Sequence, residues 1–189
     1  MKKDEQAIKI LIYLVWIFLF VVGIIETKIY YSISSLLLAF AYFHFKKVPK
    51  YVHLLLALTV VLGMLGEIFL MLYYHHLYYD KILHVVNPII GCLFVYYLIK
   101  DKFRDKRLII AFCAFAVISF ALGWEIFEYG YDNLFGGTMQ GVSVLEAGYG
   151  NSEIFRQIVS PVDDTMVDMI LTFAGTIVFA LGFWLKKKV

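Results

Sequence analysis

Cysteine, proline and charge are all scarce in this chain of 189 residues. The two cysteines, Cys92 and Cys113, both lie inside apolar runs. They exclude a disulfide framework and any thiolate metal site built on closely spaced pairs, and we read both as small core hydrophobes. The three prolines leave long stretches of chain free to be helical. No internal repeat, low-complexity tract or linker breaks the sequence, so one domain over residues 1–189 is expected. Charged residues make up only 17% of the chain against 62% hydrophobic, with a mean hydropathy of +0.80. A soluble domain is roughly 45–50% apolar, so this is the composition of a membrane protein. A net charge of +2 offers nothing to a nucleic acid.

What is present is a series of apolar windows. Six are long enough, or nearly so, to cross a bilayer: Ile8–Ile25, Ile29–Phe45, Val52–Tyr74, Ile82–Ile99, Leu108–Tyr129 and Met166–Leu185. The first follows Met1-Lys2-Lys3 like a secretory signal. It is longer than the usual apolar region of one, and no small-x-small cleavage site follows, so a retained span is expected. Pro88, early in the fourth window, is placed to kink it or free a carbonyl. The expected fold is all-α, a polytopic bundle of about six transmembrane helices.

Basic residues set the orientation. The two ends and the even-numbered loops hold fourteen Lys and Arg, against three (Lys28, Lys81 and Arg156) in the odd-numbered loops. The positive-inside rule then puts both termini in the cytoplasm of a multi-pass plasma (inner) membrane protein. The segment 132–160 becomes an extracytoplasmic loop. Within it, Phe135–Gly141 has the composition of an anion-binding backbone nest or an ordinary flexible loop, and Ser152–Ser160 that of a short interfacial helix.

This orientation gathers the intramembrane charges at one depth, the outer third of the bilayer. Ionisable groups in hydrocarbon are expensive and mark a functional site by default. Asp80, His84 and Asn87 are spaced i, i+4, i+7 and share a helix face, where Asp and His can bind one metal or Asp can orient the imidazole as a general base; the alternative is that Asp80 merely caps the helix and His84 is an interfacial polar residue. Glu125 and Glu128 have the i, i+3 spacing of paired carboxylate ligands. They oppose the dipole at a helix C-terminus with no basic neighbour in sequence, so a metal, a partner segment or a proton must compensate. After the helix start at Pro161, Asp164, Asp168 and Thr172 form a stripe, and capping accounts for Asp163 or Asp164 but not for Asp168. Glu67 stands among small residues without a local partner. His75 and His76 point about 100° apart and read as interface markers. Arg156 is a candidate partner for a phosphate or an acid.

Taken in order, Tyr79-Asp80-Lys81-x-x-His84, Trp124-Glu125-x-x-Glu128 and Asp164-Thr165-x-x-Asp168-Met169 followed by Gly175 resemble the YjdF-like family of bacterial and archaeal inner-membrane proteins. More loosely, they resemble VanZ-like proteins, which are associated with glycopeptide resistance at the cell envelope. The likeness spans roughly Tyr79 to Gly175. It implies a small polytopic membrane protein with a shared acidic and histidine site, and supplies no reaction.

Three functions fit these residues. The first is a divalent-metal site that acts on or binds a lipid-linked or envelope substrate. Its ligands would come from His84, Glu125, Glu128, Asp164 and Asp168, with Asp80, His84, Glu125 and Asp168 as the chemical core. Glu67, Asn87 and Arg156 would touch substrate. The second is a proton-coupled transporter, which at six spans would need to work as a homo-oligomer. The third is a non-enzymatic envelope resistance or immunity module. Membrane lipids surround the protein in every case.

Overall fold

The computed structural model describes residues 3–76, 78–136, 139–147 and 153–185. Helix α1 (Lys3–Ile25) leads through a short turn to α2 (Ile29–His44). Helix α3 (Lys50–Met64) widens to a π-helical turn over Leu65–Phe69 and is followed by the single turn α4 (Leu72–His75). Helices α5 (Tyr79–Ile99) and α6 (Lys106–Phe135) precede two strands, β1 (Val142–Ala147) and β2 (Glu153–Val159), and α7 (Pro161–Leu185) closes the chain. Five helices have the length and hydropathy of membrane spans, and α2 is apolar but shorter. The chain is therefore an α-helical integral membrane bundle.

The ends of α6 and the start of α7 have local causes. Asp105 caps α6 by accepting the Arg107 amide at 2.8 Å, and Gly136, at φ +65°, ends that helix in a left-handed conformation that costs glycine little. Helix α7 starts with Pro161 in its first turn, and Ser160 and Asp163 form a reciprocal cap: the Asp163 amide donates to Ser160 Oγ, which donates to Asp163 Oδ2. Because Ser160 caps the helix and Asp163 holds its hydroxyl, Asp164 and Asp168 are released for another purpose.

The bundle buries polar side chains beside its apolar ones and exposes large apolar side chains outside. Ser32, Ser35, His53, Thr59, Glu125, Asp164, Asp168, Thr172 and Thr176 are buried, whereas Phe120 is 74% exposed. That inversion is the logic of a protein whose solvent is hydrocarbon. Ser35 Oγ donates to the Trp16 carbonyl at 2.8 Å and Ser32 Oγ to that of Phe20 at 3.0 Å, stitching α2 onto α1. Helices α1, α2 and α3 pack around Leu19, Tyr30, Tyr31 and Met64. Helix α5 touches α3, α6 and α7, and joins this group to the second core of Cys92, Ile99, Ile109 and Cys113. Both cysteines are buried and free, as small core residues.

Three expectations need correction. The third span does not continue to Tyr74: the helix gives way to the π-helical turn, and Met71 takes a left-handed φ of +50°, a conformation that breaks a helix. Tyr79 Oη donates to the Leu62 carbonyl at 2.7 Å where the helical hydrogen-bond pattern changes. The fifth span is longer than expected: the helix runs on through Gly130 and ends only at Gly136. The segment Glu153–Val159 is a strand rather than a helix. It pairs antiparallel with β1, from Val142 opposite Val159 to Ala147 opposite Glu153, and β1 lies against α4.

Candidate functional site

The site forms where the N-terminal ends of α5 and α7 meet the C-terminal half of α6. What allows α5 and α7 to approach is glycine at position 175: a Cβ there would stand 2.5 Å from the Val85 carbonyl oxygen and 3.1 Å from Pro88 Cβ. Thr172 and Thr176 flank it, completing a small-residue seam between the two helices. One to two turns above this seam, α7 presents Asp168 and Asp164 to the first two turns of α5.

Lys81 occupies the centre. Its ammonium donates to Asp80 Oδ2 at 3.0 Å, to Asp164 Oδ1, and to Asp168 Oδ1 and Oδ2 at 2.7 and 2.8 Å. Its side chain is 15% exposed. Asp80 Oδ1, which Lys81 does not bind, and Asp168 Oδ2, which it does, both stand near the imidazole: His84 Nε2 lies 3.4 Å from the first and 3.8 Å from the second. Asp80, His84 and Asp168 thus each offer a ligand atom within 4.8 Å of the others. Ligands on a metal at about 2.1 Å stand roughly 3.0–3.4 Å apart in octahedral or tetrahedral geometry, so a slight contraction would admit an ion. Asp80 does not cap α5, which has no side-chain cap.

Asp164 also works in a second direction, accepting the Gly141 amide at 2.9 Å. Asp132, at the end of α6, accepts the amides of Met139 and Gln140 at 2.8 Å each. Three consecutive backbone N–H groups therefore point at carboxylates of the same chain. The anion that the glycine-rich stretch binds is internal, and this docks the loop over the site. Residues 137 and 138 of that stretch lie outside the described residues.

Glu125 is 4% exposed and accepts from Thr165 Oγ1 at 2.8 Å. Gln140 Nε2 donates to Thr165 Oγ1 at 3.1 Å. The charges of His84, Asp164 and Asp80 all act on Glu125, which places it beside the triad without joining it. Glu128 takes a bond of 2.6 Å from Trp124 Nε1 within its own helix. The i, i+3 spacing therefore does not make Glu125 and Glu128 a common ligand pair: each is held by a different donor. With every acid ionised, five carboxylates (Asp80, Glu125, Glu128, Asp164 and Asp168) would face one ammonium and one imidazole. Lys81 alone does not balance that charge.

Glu67 belongs to a separate cluster. The π-helical turn aims it at Lys28 Nζ (2.7 Å), Tyr30 Oη (2.6 Å to each oxygen) and Tyr31 Oη (2.7 Å). Burial opposes the charge of Lys28, but the hydrogen bond and charge of Glu67 outweigh it and hold the ammonium above its ordinary pKa. Tyr73 stands between the two clusters. Its hydroxyl and that of Tyr31 both lie within 4 Å of where a Gly63 Cβ would be. Burial and then the charge of Asp80, followed by Tyr79, Glu67 and Glu128, push the Tyr73 hydroxyl well up, so it stays a proton donor. Asn87 is exposed on α5 and Arg156 is exposed on β2; neither joins the triad.

Sequence reasoning missed Lys81, Thr165, Gln140 and Tyr73. Lys81 was counted as a topological charge. The usable signal was its position between Asp80 and His84, in a region with almost no other base.

A family model described as "Predicted membrane protein (DUF2238)" matches residues 6–188. The chain belongs to this family. The match covers every helix described above. No curated protein and no solved structure matches the chain.

Proposed function

We propose that Asp80, His84 and Asp168 bind a divalent metal ion, and that this centre acts on or binds a membrane-borne or envelope substrate. The observation that carries the reading is the place of His84 beside two aspartates that Lys81 gathers: its Nε2 stands 3.4 Å from Asp80 Oδ1, which Lys81 does not bind, and 3.8 Å from Asp168 Oδ2, which Lys81 also binds. The ammonium brings carboxylates from different helices to the imidazole, and a metal ion would compete with it for them. One imidazole with two carboxylates suits Mn, Fe or Zn and leaves coordination positions for water and substrate. Metal-activated water would support hydrolysis or transfer at a phosphate or ester, with Glu125 as the adjoining base. The motif order supports kinship with YjdF-like proteins, and the Asp-Lys-x-x-His element alone supports the looser VanZ-like one.

The core beneath the site weighs against a transport pathway. Cys92, Ile99, Ile109 and Cys113 close it with apolar side chains. The distribution of basic residues supports a plasma-membrane protein with both termini inside and the site facing outward. Labelling Gln157→Cys in intact cells with a membrane-impermeant maleimide tests the orientation; protection until the membrane is opened would reverse it.

The metal reading is tested by elemental analysis of the purified full-length protein. About one equivalent of a transition metal is expected, lost in His84→Ala and in Asp168→Ala and retained in Asn87→Ala. Protein that is folded, metal-free and unable to bind added Mn or Zn would end this reading.

A further inference from the structure

Between α6 and α7, below the β1–β2 pair, lies an open cavity of about 630 Å³. This is within the range of small-molecule sites, roughly 300–1,000 Å³. Its walls include Leu122, Ile126, Val162 and Met166, all strongly exposed on helices that face hydrocarbon. Its polar end is formed by Glu125 and Gln140, the two residues joined through Thr165, and Asp132 stands at its rim. The cavity thus has an apolar flank open to the bilayer and a polar end abutting the ion cluster. Among the described lining residues two are acids and none is Lys or Arg.

We infer that this crevice is a lateral entrance that seats the amine-bearing head group of a bilayer phospholipid against Glu125, with its chains along Ile126, Val162 and Met166. Two arguments fix the occupant. The opening faces hydrocarbon, so what reaches it without crossing water is a lipid. The charged lining is acidic, and in a desolvated setting a carboxylate selects an ammonium over a head group of net negative charge. Glu125 lines the cavity, and the bond from Thr165 Oγ1 to one of its oxygens fixes the carboxylate there. The inference rests on the reading above in one respect: it takes the ligand of the ion cluster to be membrane-borne.

The test uses the full-length protein in nanodiscs of equimolar phosphatidylethanolamine and phosphatidylglycerol. Lipid retained on release into the mass spectrometer is counted, and metal is measured on the same samples. Wild type is expected to keep the ethanolamine lipid over the glycerol lipid by about tenfold, the scale of one charge-assisted contact. Glu125→Gln should bring that ratio near unity. Val162→Trp and Met166→Trp each fill the crevice and should lose the retained lipid while keeping metal. They sit on the outer face of α7, so at least one should fold, as its melting curve will show. Equal retention of the two lipids by wild type overturns the inference, as does preference for the glycerol lipid or undiminished retention in both tryptophan variants. Ethanolamine preference in metal-free protein would sink the metal reading and leave this one standing; stoichiometric metal without lipid preference would do the reverse.

Discussion

Replacing Lys81 by Met removes the only ammonium inside the triad of aspartates, and it should move stability and metal affinity in opposite directions. In the wild type this ammonium is hydrogen-bonded to Asp80, Asp164 and Asp168, which are largely or wholly buried. Taking one partner from a buried ion pair leaves uncompensated charge and costs about 3–5 kcal/mol. For a chain of this length about 1 kcal/mol shifts a melting midpoint by about 2–4 °C, so the metal-free variant should melt roughly 6–20 °C lower. Metal affinity should rise, because the cation that competes for the two carboxylates is gone. At a metal concentration of about 100 times Kd, binding returns about 2.7 kcal/mol, most of the loss at its lower bound and about half at its upper. Melting curves of wild type and Lys81→Met, with and without Mn or Zn, supply all four corners of this cycle. Asp164→Asn added to Lys81→Met should recover part of the loss by removing one of the stranded charges. The reasoning fails if Lys81→Met costs less than about 1 kcal/mol, the worth of an exposed pair, or if added metal stabilises it no more than wild type.

Two further outcomes follow from the packing and from the Glu67 cluster. Gly175→Ala forces a Cβ to within 2.5 Å of the Val85 carbonyl, and backbone cannot yield cheaply; a loss of about 1–3 kcal/mol is expected, with weaker metal binding as Asp168 moves off Asp80 and His84. Gly182→Ala, with nothing within 4 Å of the new Cβ, should be silent, and equal effects of the two in melting and metal titration would refute the seam. The pKa of Lys28 is raised above 10.5, so its pairing with Glu67 stabilises the fold at pH values below 10.5 and that stabilisation is lost as pH climbs through the higher folded-state value. Glu67→Gln should erase this alkaline loss in a pH series of melting midpoints; an unchanged series would show that Lys28 is held by something else.

The membrane bundle was readable because hydropathy reports on single spans one at a time. The convergence of Asp80, His84 and Asp168 was readable for a related reason: with alternating span directions and a common depth, few arrangements keep them apart. The partition of roles was not readable. Glu125 and Glu128 share a spacing, but Thr165, on another helix, claims the first and Trp124 the second. Lys81 carries a charge that counts for topology in the sequence and for pairing in the fold, and only three-dimensional proximity decides between them. The break at Met71 depends on Glu67 being drawn to Lys28, Tyr30 and Tyr31 from another part of the chain, which no local window contains. The β1–β2 pair was hidden because a short amphipathic segment fits both periodicities until its partner strand is known.

The spans are strikingly unequal only if measured against a flat slab, and no flat slab fits them: α2 has 16 residues and α6 has 30, about 24 and 45 Å at 1.5 Å per residue. A hydrocarbon layer of about 30 Å must thin beside the first, and the second must lean or protrude. Each ångström of mismatch costs a fraction of a kcal/mol, so acyl-chain length becomes a control on this protein. Shorter chains relieve α2 and lengthen the part of α6 that stands proud of the surface, carrying Asp132 and the residues it clasps further into the head-group layer.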